Sequence, residues 1–124
     1  MSKQVLIVDD EPHIVISLEF LMKREGFAVA VARDGEEGLA AIRASRPDLV
    51  ILDVMMPKLN GFEVLEAVRA DPDLAGVRIL MLTAKGRPAE HTKGLALGAD
   101  AYMPKPFSTR ELVDKAKTLL AEAA

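Results

Sequence analysis

The apolar residues of this chain fall into short unbroken runs that alternate with segments in which they recur every three or four positions. Val5-Leu6-Ile7-Val8 is the first run, residues 27–32 the second, Leu49-Val50-Ile51-Leu52 the third, and residues 78–82 and 100–103 supply two more. Runs of this length read as strands. The third, bounded by Arg46-Pro47 before it and by Pro57 and Asn60-Gly61 after it, suits a strand covered on both faces. The intervening segments read as helices. The first opens near Pro12, a residue favoured at the first helical position, repeats Ile14, Val15, Leu18, Leu21 and Met22 at helical spacing, and stops at Gly26. Asp34 with Glu37, and Asn60 with Glu63, are capping residues each followed by an acid three positions on. They open helices carrying Leu39, Ala40 and Ile42, and Val64, Leu65 and Val68, the latter ending at Asp71-Pro72. A fourth helix, about residues 88–97, offers little apolar surface through Ala89, His91, Thr92, Lys93 and Gly94, so it is the element expected to shift or melt most easily. Ser108 and Glu111 form a capping box before a fifth helix with Leu112, Val113, Ala116, Leu119 and Leu120 on one face.

Strands alternating with helices require crossover connections, which predicts a parallel sheet with helices on both faces. At 124 residues, half of them apolar and with no internal repeat, the chain reads as one domain spanning residues 1–124 with no output domain attached. No stretch approaches the roughly 18 apolar residues of a membrane span, and no signal-peptide pattern opens the chain, so a cytoplasmic location is expected. The absence of cysteine excludes a disulfide framework, a thiol nucleophile and a cysteine zinc site. A net charge of −3 with both signs interspersed gives no footprint for nucleic acid or an anionic membrane, so any DNA contact is expected from another domain.

The strand ends carry the chemistry. Asp53 lies where the third strand meets its loop, and Asp9 and Asp10 end the first strand. In open α/β sheets ligands bind at the carboxyl ends of the strands. Three carboxylates at one rim repel one another unless a hard cation sits among them. Thr83 and Lys105-Pro106 end the fourth and fifth strands, which adds a hydroxyl and an ammonium to the same rim. This set suits phosphoryl transfer. Magnesium takes oxygen ligands in near-octahedral array, the transferred group spreads charge over its oxygens, and an aspartate can be the nucleophile that forms an acyl phosphate. Each residue alone has a simpler reading: Asp53 as a cap or turn acid, Thr83 as a turn hydroxyl, Lys105 as a solvated charge, Tyr102 as a core-edge aromatic. His13 and His91 stand apart and read as surface residues.

The motifs Val8-Asp9-Asp10-Glu11, Leu52-Asp53-Val54-Met55-Met56-Pro57, Asn60-Gly61, Leu82-Thr83-Ala84, Gly98-Ala99-Asp100 and Lys105-Pro106-Phe107, in this order and spacing, resemble the receiver domain of bacterial two-component response regulators. The likeness runs from Val5 to about Leu120. It implies a flavodoxin-like (βα)5 three-layer sandwich with strand order 2-1-3-4-5, an order for which CheY-like receivers are a standard example. It implies that Asp53 is the phosphoacceptor, served by a sensor histidine kinase, a phosphotransfer protein or a small phosphodonor. Magnesium, with manganese as a substitute, would be held by Asp10, Asp53 and the Met55 backbone carbonyl, with Asp9 acting through water. Lys105 and the Ala84 backbone would bind the phosphoryl group, Asp53 and Lys105 being the catalytic pair. Thr83 and Tyr102 would be the switch residues, and the Lys105-Pro106 bond would be cis, a form taken by roughly 5–6% of such bonds. The readout would be a changed surface of the fourth helix, fifth strand and fifth helix, acting on an output domain or target protein, with a phosphorylation-dependent dimer among the expected assemblies. The protein would assist its own phosphorylation rather than turn over an external substrate.

Two departures from the family pattern matter. Met55 and Lys85 occupy the positions two beyond Asp53 and Thr83, which flank the path of hydrolytic water, and a bulky apolar group with a long cation implies slow self-dephosphorylation. Asp100-Ala101-Tyr102 replaces the Asp-Asp-Tyr common in regulators with winged-helix outputs, removing one acid of their usual dimer contact. Among rivals, a haloacid-dehalogenase-type magnesium phosphatase expects two acids separated by one residue, whereas Asp9 and Asp10 are adjacent. An FMN-binding flavodoxin needs a phosphate cradle where Asp9-Asp10-Glu11 would repel the ligand. A degenerate receiver serving as a constitutive docking module is disfavoured by the intact Asp10, Asp53, Thr83 and Lys105 set.

Overall fold

The computed structural model describes residues 3–56, 58–84 and 88–122. Pro57, Lys85, Gly86 and Arg87 lie outside the described residues, as does the side chain of His91. Five strands, β1 (Gln4–Val8), β2 (Ala28–Ala32), β3 (Leu49–Asp53), β4 (Arg78–Ala84) and β5 (Ala101–Lys105), alternate with helices α1 (Pro12–Arg24), α2 (Gly35–Ser45), α3 (Gly61–Ala70), α4 (Pro88–Ala96) and α5 (Thr109–Glu122). A single 3-10 turn, Pro72–Leu74, follows α3. The strands form one parallel sheet in the order β2-β1-β3-β4-β5.

Period-two alternation divides the central strands between two cores. Val5 and Ile7 of β1, Leu49 and Ile51 of β3, and Leu80 and Leu82 of β4 pack with Val15, Leu18, Leu21 and Met22 of α1 and with Leu112, Val113, Ala116, Leu119 and Leu120 of α5. Leu6, Val8, Val50, Leu52, Ile79 and Met81 turn the other way, onto Leu39 and Ile42 of α2 and Val64, Leu65 and Val68 of α3. This is why β3 reads as an uninterrupted apolar run: every residue from Leu49 to Leu52 is completely buried, by helices above and below. Ala40, by contrast, faces solvent on α2.

The helix ends follow from local chemistry. Asn60 and Glu63 form the full reciprocal capping box of α3. At α2 the Asp34 side chain accepts the Glu37 N–H at 2.8 Å, but the Glu37 carboxylate reaches back one residue further, to the Arg33 N–H. Gly26 terminates α1 with φ of +90°. Two strands run longer than the side-chain pattern suggests. Cα pairing continues through Thr83↔Pro104 and Ala84↔Lys105, because a parallel neighbour satisfies backbone groups whatever the side chains are. That extension carries Thr83 and Lys105 to the same rim as Asp53.

An arginine ties the far side together. The half-buried Arg69 of α3 donates from Nε to the Gly98 carbonyl at 2.8 Å, from one terminal nitrogen to the Val77 carbonyl at 2.8 Å, and from the other to Asp100 Oδ2 at 2.7 Å. Asp100 also accepts the Ile79 N–H at 2.7 Å and pairs with Arg78 at 3.4 Å. The α4–β5 connection is therefore clamped to α3 and to the start of β4. The contact set of α4 on β4 is closer still at Gly94, where a Cβ would stand 3.2 Å from Met81 Sδ.

Candidate functional site

β1 and β3 are adjacent in the sheet, with Val8 paired to Leu52, so Asp9 and Asp53 emerge side by side one residue further on. Asp9 is completely buried and Asp53 is 4% exposed, while Asp10 is exposed. One carboxylate oxygen from each of the three lies within 4.8 Å of the others. β4 brings Thr83 to the same edge, 1% exposed, and among the described residues its hydroxyl has no hydrogen-bond partner. Across from it, the Lys105 ammonium lies 3.2 Å from Asp53 Oδ1, 3.2 Å from Asp9 Oδ2 and 3.1 Å from Glu11 Oε1. Ala84 is the last residue of β4, in register with Lys105. The Lys105-Pro106 peptide bond is cis.

The electrostatics follow from crowding acids in a dry place. Burial, and then the neighbouring Asp9 charge, push the Asp53 carboxyl up to about 6, against Lys105 and a hydrogen bond from the Met55 backbone N–H. Burial also raises Asp9, although the Glu11 N–H donates to its Oδ1 at 2.9 Å and Lys105 pulls the other way. Burial disfavours the Lys105 ammonium, but the charges of Asp53 and Asp9, with hydrogen bonds to Glu11 and Asp9, outweigh it and raise its pKa. Asp9 Oδ2 is buried, with the Lys105 ammonium 3.2 Å away. A pocket of three hard carboxylate donors carrying surplus negative charge fits a divalent cation such as magnesium.

The rim is built on close backbone approaches. Gly61, the first residue of α3, donates its N–H to the Val54 carbonyl at 2.8 Å, and a Cβ there would come within 2.3 Å of the Asp53 carbonyl oxygen. A Cβ on Gly35 would overlap the Leu59 carbonyl. Lys58, at φ of +70°, reaches Asp34 at 3.6 Å. The β3–α3 loop is thus pinned between the starts of α2 and α3. Met55 in that loop is 63% exposed.

Of the residues the sequence singles out, Asp9, Asp10, Asp53, Thr83, Ala84 and Lys105 converge on this rim. Tyr102 does not: it sits half-buried against the core on the α2 and α3 face of the sheet, and lines a groove of about 410 Å³ with Met103, Pro104, Glu111, Asp114, Lys115 and Thr118. His13 is exposed in the first turn of α1 and is not part of the group of acids. Glu11 enters the sequence reading only within the Val8-Asp9-Asp10-Glu11 motif, with no role of its own. Its direct succession to Asp9 and Asp10 is the one signal that it stands at the same strand end.

A parallel 2-1-3-4-5 sheet with acids, a hydroxyl and a lysine at its carboxyl edge defines a receiver-type α/β domain. The family model described as the response regulator receiver domain matches residues 5–117, and the chain belongs to that family. It is similar to the alkaline phosphatase synthesis transcriptional regulatory protein PhoP of Bacillus subtilis, 47% identical over 120 residues that cover 97% of this chain and 49% of that protein. It is also similar to the DNA-binding response regulator MtrA of Mycobacterium tuberculosis, 43% identical over 97% of this chain and 51% of that protein. The chain spans about half the length of these curated relatives. Among solved structures, a response regulator from Chloroflexus aurantiacus superposes with a TM-score of 0.93 at 37% identity, covering 98% of this chain and 99% of that one. The chemotaxis protein CheY4 of Vibrio cholerae superposes at 0.88 and 34% identity, covering 96% and 99%. No helix among the described residues is long and apolar enough to cross a membrane.

Proposed function

We propose that this chain is a single receiver domain that works as a phosphorylation-activated switch, with Asp53 as the phosphoacceptor. The observation that carries the reading is the convergence of the Asp9, Asp10 and Asp53 carboxylates, the unpartnered Thr83 hydroxyl and the Lys105 ammonium on one strand edge. Asp10, Asp53 and the Met55 carbonyl would hold a magnesium ion, with Asp9 acting through water. When bound, the ion neutralises charge on the phosphoryl oxygens and on the carboxylates around them.

The remaining work falls to the chain's own side chains. An Asp53 carboxylate oxygen forms the bond to phosphorus as the bond from phosphorus to the donor breaks, and the leaving imidazole or acetate departs with the electron pair. A pKa of about 6 leaves Asp53 ionised at neutral pH. Lys105 faces the new phosphoryl oxygens, and the Thr83 hydroxyl and Ala84 N–H donate to them. Recruiting the Thr83 hydroxyl gives a buried unsatisfied group its partner and leaves space behind it for Tyr102 to occupy. The α4, β5 and α5 surface then changes. α4 is the element with least apolar anchorage, Leu95 being 48% exposed, which suits it to a two-state role. Phosphoryl groups are expected from a histidine kinase or phosphotransfer protein, and the output is a partner protein or attached domain. PhoP is named as a transcriptional regulatory protein and MtrA as a DNA-binding response regulator; control of transcription is the output proposed here.

Trapping with beryllofluoride and magnesium tests the switch. Amide shifts should spread from Asp53 through Thr83 to Tyr102 and α4, and shifts confined to the strand edge would contradict it. Met55, exposed beside Asp53, shields the acyl phosphate from water. A phosphoryl half-life of minutes or longer is expected in the purified protein, shortened by Met55→Asn; a half-life of seconds would rule out this shielding.

A further inference from the structure

Glu11 has no task in the chemistry above. Its side chain is 58% exposed, it makes no capping hydrogen bond to α1, and its Oε1 lies 3.1 Å from Lys105 Nζ. Lys105 therefore has three carboxylates around it at nearly equal distance, Asp9 and Asp53 at 3.2 Å and Glu11 at 3.1 Å. Two of these three, Asp9 and Asp53, also belong to the group of acids that can share a cation, and Glu11 does not. Ammonium and divalent cation thus compete for the same two carboxylates, and their like charges exclude each other from the space between them.

We infer that Glu11 is a positioning residue that holds the Lys105 ammonium at the outer edge of the rim, so that Asp9 and Asp53 can be released to a divalent cation without Lys105 leaving the site. Lys105 then stays within one side-chain swing of the place the phosphoryl group takes. The inference rests on the proposed magnesium-dependent function. Without the Glu11 carboxylate, the ammonium has only Asp9 and Asp53 as charged partners among the described residues, and an incoming cation must displace it from a buried ion pair. The exposed position and the absence of a cap bond mean that Glu11→Gln should leave the fold intact. The backbone hydrogen bond from Glu11 to Asp9 does not involve its side chain.

A double-mutant cycle read by calorimetric titration with magnesium chloride separates this role from simple loss of a nearby charge. Glu11→Gln is expected to weaken magnesium binding about three- to tenfold in the parent chain, the coupling typical of one ion-pair network. In a Lys105→Met background the same substitution should change affinity by less than about twofold, the size of an exposed, screened charge effect. Glu11→Asp, one methylene shorter, should fall between parent and Glu11→Gln. The magnesium concentration that half-saturates phosphorylation by acetyl phosphate should rise in Glu11→Gln by the same factor as the dissociation constant. Equal weakening with and without Lys105 would overturn the inference, because Glu11 would then act on the cation directly. A parent chain that binds no magnesium would overturn the metal reading itself, and that is seen before any Glu11 variant is made.

Discussion

In metal-free buffer above pH 7, Asp53→Asn is expected to resist urea better than the parent chain, by on the order of 2–3 kcal/mol. Asp53 is almost fully buried, and its carboxyl is raised from 3.8 to about 6 by burial and by Asp9. A shift of about two units corresponds to roughly 3 kcal/mol of unfavourable interaction of the charged form. The folded state binds the Asp53 proton more tightly than the unfolded chain does, so this penalty is complete above about pH 6 and shrinks as the pH falls toward 4. The difference between the two chains should therefore narrow on acidification. Magnesium should raise the stability of the parent with concentration and leave Asp53→Asn nearly unchanged. A parent chain more stable than Asp53→Asn at pH 7.5 without metal would mean that the Lys105 pairing outweighs the crowding of acids.

Gly61→Ala is expected to cost about 3 kcal/mol, the upper end of typical overpacking effects. Its Cβ would stand 2.3 Å from the Asp53 carbonyl oxygen and 2.9 Å from Val54 Cα, both backbone atoms of the buried strand end. Neither can swing aside as a side-chain tip would, so α3 must move off β3 and disturb the phosphoacceptor. Gly76→Ala is the control, since a Cβ there meets nothing within 4 Å. Urea titrations should show a lowered midpoint for Gly61→Ala at unchanged slope, with Gly76→Ala close to the parent. Equal midpoints for the two variants would show that the α3 start accommodates a methyl group.

These two positions mark the reach and the limit of sequence reading here. Asp53 is legible because a strand buried on both faces must be apolar throughout, so the single acid that ends the run stands out. The start of α3 at Asn60 is legible because capping is a contact over three residues. Gly61 is not, because nothing local shows that its missing Cβ faces the backbone of another element. Thr83 and Lys105 are visible as residues, but their meeting depends on strand order, which no period encodes and which came from family resemblance. The same holds for the clamp made by Arg69, whose partners Val77, Gly98 and Asp100 lie 8 to 31 positions away. Glu11 is hidden for the opposite reason: its neighbours in sequence are the site, yet its own side chain reads as an ordinary helix-start acid until the position of Lys105 is known.

The central claim is that Asp53 accepts a phosphoryl group with the help of a divalent cation. Intact-protein mass spectrometry after incubation with acetyl phosphate and magnesium tests it most directly, beside Asp53→Asn and a chelated control. One added phosphoryl mass is expected on the parent chain and none in either control. An unmodified parent that also fails to bind beryllofluoride, or an adduct that persists in Asp53→Asn, would contradict the account.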